Sequence, residues 1–235
     1  MDEPIRAPRL GIVHLLAWTF ASAFCMAAYR WSNIYADVPD FMAPIYMAQL
    51  LIHGMAFGAG VTAMCGMLQS WSISRRGMWH PGYWLVVIQT TGAVQLLVLL
   101  VATPFLRDGF IPQSIYYSIV AVASLPTVCI YILATVFATN ASWRAVFLLG
   151  CGTSLLSAIQ YLAIALSMLA VWGTLNVVGN VVTAIAFLLL LSVCCVDLAK
   201  RIPRDWIHWT GIATNICHIF LALSLQLWVM LARPN

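Results

Sequence analysis

Between Ala145 and Val196 the chain runs for fifty-two residues without one Asp, Glu, Lys or Arg. Soluble domains carry about 25% charged residues, so a run of this length cannot form ordinary solvated surface. It can cross a bilayer twice, since each helical pass needs about 20 apolar residues. The rest of the chain follows suit, with 63% hydrophobic and only 8% charged residues among 235. A backbone in hydrocarbon must satisfy its own hydrogen bonds, which leaves helices or closed barrels. Apolar runs of this length predict helices. We expect an all-α, polytopic integral membrane protein, with residues 1–235 forming a single transmembrane domain.

Apolar runs bounded by charge, Pro and Gly predict seven spans, at about 10–29, 45–70, 83–103, 115–138, 144–171, 174–197 and 207–231. The first is expected to be retained, although Ala21-Ser22-Ala23 mimics a cleavage site. Between the fifth and sixth only "WGTLNVVGN", 172–180, offers a turn, so the break is expected at Gly173 or Gly179. Counting basic residues at the loops places Arg6, Arg9, Arg75, Arg76, Arg144, Lys200, Arg201 and Arg204 on the side of the N-terminus, against Arg30, Arg107 and Arg233 opposite. Positive loops stay inside, which predicts a cytoplasmic N-terminus and an external C-terminus. Nine of the ten tryptophans, Trp143 among them, fall near predicted helix ends, where interfacial rings are favoured; Trp18 alone lies well inside a span.

Several classes of function lack their equipment. The net charge of +4 is scattered over loop ends without aromatic interleaving, so nucleic acid is not an expected partner. The segment 72–80, "SISRRGMWH", is a compact basic patch suited to anionic headgroups of the bilayer. All seven cysteines fall within predicted spans, where thiols behave as small hydrophobes. Neither a disulfide framework nor a zinc pattern is indicated. Paired intramembrane carboxylates are missing, and no GxSxG, HExxH or phosphate loop is present, so we expect no enzyme. A light-driven retinal protein would need a lysine in the seventh span, and Lys200 precedes it. The first three spans show no repeat in the last three, against the habit of many carriers. Asp197 stands three and four residues before Lys200 and Arg201, which predicts an ion cluster on one helix face at the membrane interface.

Histidine carries the strongest signal. With the predicted spans, His53 lies about eight residues inside the outer end of the second and His218 about eleven residues inside the inner end of the seventh, so both sit near the midplane. A polar ring facing lipid is costly, so both should point into the bundle, where they could bind a cofactor, a metal or each other. Gln49 and Asn215 stand about one turn away and could orient the rings. His14 and His208 form a second candidate pair near the cytoplasmic ends of the first and seventh spans. Gly54 and Gly58 make a GxxxG pair that would seat a neighbouring helix.

The stretch "HGMAFG", 53–58, resembles the H-E-M-L-F-G type segment of the NnrS family, haem- and copper-containing membrane proteins linked to the nitric oxide response. The resemblance covers one helix and departs from the family at Gly54, where the family has an acidic residue. It implies a metal-binding role for His53 and brings haem b as a cofactor. The block "MWHPGYWLVV", 78–87, resembles a segment of uncharacterised bacterial multi-pass proteins, which implies a bacterial inner membrane.

Three readings stand at this point. The first is a non-enzymatic sensor, assembly factor or complex subunit, working with a membrane-protein partner or a second copy of itself. It accounts for the short loops and for amides such as Gln89, Gln95, Gln160, Asn176 and Asn180 within the spans. The second is a haem- or metal-binding redox protein using His53 and His218. The third is a channel or carrier for a small neutral solute, with Pro126 able to kink the fourth span.

Overall fold

Seven helices account for the fold in the computed structural model, which describes residues 11–32, 43–73, 81–138, 140–202 and 204–231. They are α1 (Ile12–Ser32), α2 (Ala43–Ile73), α3 (Pro81–Arg107), α4 (Gln113–Phe137), α5 (Ala141–Ala165), α6 (Leu169–Ala199) and α7 (Trp206–Leu231). Among the described residues, the first six are long and apolar enough to cross a membrane. The chain is an all-helical bundle of the integral membrane type. The basic patch is described only to Ile73, and no side chain in it; the charges before Gly11 and the side chain of Gln49 also lie outside the described residues.

Many serines and threonines within the helices return their hydroxyl protons to their own backbone, as in Thr90 to Val86 O (2.8 Å) and Thr214 to Thr210 O (2.9 Å). This lets polar residues sit in a membrane helix without an unpaired donor. Helix ends are closed by the backbone. Gly109 at the end of α3 has φ +76°, and the amides of Gly109 and Phe110 fold back onto Leu106 O and Phe105 O. A left-handed residue after the last turn is the Schellman arrangement, which satisfies otherwise orphaned carbonyls.

The same device corrects the expected break between the fifth and sixth spans. Ser167, at φ +59°, ends α5, with Ser167 N on Ile164 O (2.9 Å) and Met168 N on Ala163 O (2.8 Å). The chain therefore turns at Leu166–Met168, before either glycine, and both Gly173 and Gly179 are inside α6. Gly179 serves packing. A Cβ there would come within 2.9 Å of the Gln160 amide, whose Nε2 donates to Leu175 O on α6 (2.8 Å). The fourth span, for its part, runs as one continuous helix through Pro126.

Consecutive helices α4, α5 and α6 pack side by side, while α3 and α7 hold the middle, touching each other and joining α1 and α2 to the rest. One dry core gathers where α3, α5 and α7 begin and α4 and α6 end, with Leu85, Ala134, Phe147, Leu190 and Ile212 at its centre. Trp143, in the first turn of α5 and so near a helix end as expected, belongs to this core and is fully buried. Its indole packs on Phe147 and meets His208 edge to face, so the ring is consumed by helix packing at this end.

Gly54 and Gly58 face α1. A Cβ on Gly54 would approach Met26 Cγ to 2.8 Å and Ser22 O to 3.3 Å, and one on Gly58 would overlap Ser22 Oγ and the backbone of Trp18. Trp18 Nε1 also donates to Met55 O across the same seam (3.0 Å). Replacing Gly58 with Leu is expected to separate α1 from α2 and destabilise the bundle by about 1–3 kcal/mol, the usual cost of overpacking. A melting temperature in detergent equal to that of the unaltered protein would contradict this.

Candidate functional site

On the far side of the dry core lies a cavity of about 420 Å³, to which all seven helices contribute. That volume lies within the range of small-molecule pockets. Its wall is largely apolar, with uncharged polar groups set into it. From α3 come Gln89 and Gln95, from α4 Ser124 and Thr127, and from α7 Asn215. Among the described residues, no Asp, Glu, Lys or Arg lines it.

The spacing on α5 and α6 explains how the wall arises. On α5, Thr153, Ser157 and Gln160 recur at i, i+4 and i+7; on α6, Asn176, Asn180 and Thr183 do the same. Each set forms one polar stripe on an otherwise apolar helix. The two stripes face inward, and lipid meets the apolar remainder, including exposed Leu155, Leu162, Val177 and Val181.

His53 and His218 both line this cavity. Their ring centroids are 5.3 Å apart with an interplanar angle of 67°, so α2 and α7 meet edge to face, and Tyr29 of α1 stacks against His53 at 6.0 Å. Asn215, one turn before His218, has its amide Nδ2 on Leu85 O (3.2 Å) and Gly211 O (2.8 Å). Its hydrogens are therefore committed to the α3–α7 seam. Haem fits this pair poorly. Two histidines on opposite faces of one iron, with metal–nitrogen bonds of about 2.0 Å, would hold their centroids roughly 6.3 Å apart with the porphyrin between. The observed rings touch edge to face and leave no slot for that plane. Among the described residues, no third His, Cys, Asp or Glu forms a metal-binding group with them.

His14 and His208 are structural. Both are buried, and each accepts a backbone N–H at Nδ1, His14 from Gly11 (3.1 Å) and His208 from Gly82 (3.0 Å). Gly82 lies in the first turn of α3, so His208 caps that helix from another one. His14 instead meets Trp206 edge-on. The two rings do not form a pair with each other.

Asp197 is also placed differently from the expected cluster. Its carboxylate is 1% exposed and pairs with Arg204 Nη2 at 3.0 Å, while Lys200 and Arg201 are exposed. The i+3 and i+4 geometry holds only while a helix continues. Here α6 ends at Ala199, and Arg201 sits at φ +50° as its left-handed closing residue. The loop then brings Arg204 back onto the carboxylate. Next to it, Asp205 accepts the Tyr83 hydroxyl and, at 2.9 Å, the His208 amide, so the loop before α7 is tied to α3 as well.

No family model, curated protein or solved structure matches the chain. The class is therefore set by the fold, as a helical bundle of the membrane type, with a cavity among its helices that carries uncharged polar groups. The likeness of residues 53–58 to the NnrS segment rests on those six residues alone.

Proposed function

We propose that this chain is a non-enzymatic membrane module that holds a small polar solute inside the bundle, as a sensor or a carrier, with its N-terminus on the cytoplasmic side. The observation that carries this reading is the cavity of about 420 Å³ with amides and hydroxyls on five helices and, among the described residues, no charged side chain. A purely structural bundle gains nothing from such a chamber, because buried polar groups cost stability unless they are paired. An uncharged wall suits a solute recognised by hydrogen bonds, and it offers no counter-charge to an anion or a divalent cation. The histidine pair lines the chamber and belongs to the same site.

Gly92 provides the test. It lines the cavity, and a Cβ added there would meet nothing within 4 Å. Gly92→Leu should therefore fill the chamber without displacing a neighbour, and removing a mid-helix glycine should leave stability equal or higher by up to about 1 kcal/mol. Purified protein in detergent is heated with acetamide, glycerol or dimethyl sulfoxide. At least one should raise the melting temperature saturably in the unaltered protein and none in Gly92→Leu. Identical behaviour of the two proteins would overturn the reading.

A further inference from the structure

The helices around the cavity are packed together at one end and stand apart at the other. On α6 every buried residue, Ala186, Leu190, Val193, Cys194 and Asp197, belongs to its second half, and from Leu169 to Ile185, about five turns, none is buried. Five turns lying against close neighbours would bury a stripe of side chains. On α7 the order is reversed, with Ile207, His208, Gly211, Ile212, Thr214 and Asn215 buried and none from Ile216 to Ser224, where the described side chains end. Because the two helices run in opposite directions, both are buried at the same end of the bundle. There Leu190, Val193 and Cys194 share the dry core with Ile212, and Asp197 holds Arg204 of the connecting loop.

Beyond the dry core the two helices lean on different partners. α6 leans on α5, through Gln160 Nε2 on Leu175 O (2.8 Å), and α7 leans on α2, through the His218 and His53 rings. The opposite flank stays tied, as Gln95 Nε2 donates to Ser124 Oγ (2.7 Å) and the Thr103 and Tyr116 hydroxyls share a bond (3.2 Å), both between α3 and α4. The cavity follows the opening. Its floor is the dry core itself, since Leu85, Ile88, Val146 and Leu190 belong to both. From there its lining climbs to Leu99 on α3, Tyr161 on α5 and Asn176 on α6, roughly 21 Å along each helix. On α6 the climb is lined by Thr183, Asn180 and Asn176, and polar groups in an opening suit water better than acyl chains.

We infer that the chamber is filled from water on the side opposite the dry core, through the gap between the first half of α6 and the second half of α7, and is shut toward the face that carries the exposed Lys200 and Arg201. The dry core, the Asp197–Arg204 pair and the His208 cap on Gly82 form the closed end. With basic loops on the cytoplasmic side, the open side is external, so in this conformation the protein takes its solute from outside. This inference rests on the solute-binding reading above for what the chamber holds, and adds the side from which it is reached.

Introduced cysteines test the path by water access, since the thiolate is the reactive form. Thr183→Cys on α6 and Thr153→Cys on α5 each place a thiol on the cavity wall near the middle of its helix. Val181→Cys replaces a 55% exposed residue that faces lipid at nearly the same depth as Thr183, and Lys200→Cys marks the closed face. Each variant, checked for an unchanged melting temperature, is treated in sealed vesicles of either orientation with the charged, impermeant reagent 2-sulfonatoethyl methanethiosulfonate. The rate of the parent protein with its seven cysteines is subtracted. Thr183→Cys and Thr153→Cys should react in the orientation that hides Lys200→Cys, roughly tenfold or more faster than Val181→Cys, because water reaches their thiols. Reaction from the face that exposes Lys200→Cys would overturn the inference, and so would rates no higher than that of Val181→Cys from either face. None of these rates depends on a thermal shift by a solute. Failure of the solute-binding reading alone is therefore distinct: the wall reacts from the open side while no solute raises the melting temperature.

Discussion

Gly211→Ala is expected to unfold much of the protein at temperatures where the parent is stable. A Cβ at Gly211 would overlap the carbonyl oxygen of Gly82 and lie 3.0 Å from Val86 Cγ2; one at Gly82 would overlap the backbone of His208 and lie 2.5 Å from its Nδ1. The obstacle is backbone on both sides, so no side-chain rotation relieves it. Helices α3 and α7 would have to move apart, taking with them the His208 cap on Gly82 and the Asn215 bond to Leu85 O. Overpacking in dense cores costs about 1–3 kcal/mol, and this contact should reach the upper end or exceed it. Thermal unfolding in detergent checks it against Gly173→Ala, which adds a Cβ where nothing lies within 4 Å. Equal melting temperatures for the two variants would show that the α3–α7 seam is not rigid.

The contrast among these glycines shows where sequence reading succeeds and where it stops. Apolar runs and their breaks predict seven helices, and each of the seven expected runs has its helix, five of them with closely matching ends, since length and composition alone decide what can lie in hydrocarbon. The fifth and sixth share the one boundary that no charge or proline marks. Glycine there looked like a turn, yet Ser167 takes the left-handed conformation and Gly179 makes room for Gln160. Which glycine bends the chain and which admits a neighbour depends on the facing helix, and one helix viewed alone does not contain that information.

The cavity was partly legible. Its amides stand out in apolar helices, and the depth of His53 and His218 follows from counting rises. The stripes Thr153–Ser157–Gln160 and Asn176–Asn180–Thr183 also have helical spacing and could have been found by the same count. Hydroxyls conceal themselves in this count, because most of them in membrane helices bond only their own backbone. Which carbonyl Asn215 or Gln160 holds with its amide appears only when the facing helix is known. Gly82 and Gly211 are 129 residues apart in number, and nothing local marks them as partners.

Arg204→Met is expected to have the second large effect, because it strands a charge. Asp197 is 1% exposed, and Arg204 itself is only 12% exposed at the side chain, so their 3.0 Å contact is an ion pair largely withdrawn from water. Removing one partner of a buried pair typically costs about 3–5 kcal/mol, most of it the penalty of leaving the other ion unpaired. The same physics predicts a rescue. Replacing both partners, as Asp197→Leu with Arg204→Met, deletes the buried charge along with its counter-charge, and buried pairs exchanged for apolar groups of similar volume are often close to neutral. The double variant should therefore be more stable than Arg204→Met alone, by at least about half of the single loss. Lys200→Met and Arg201→Met, altering exposed residues beyond the helix end, should stay within about 0.5 kcal/mol of the parent. Thermal unfolding of the four proteins in one detergent checks the set. A double variant no more stable than Arg204→Met would mean that the carboxylate is held by something other than this pair, and a loss on Lys200→Met matching that of Arg204→Met would return the anchoring charge to the end of α6.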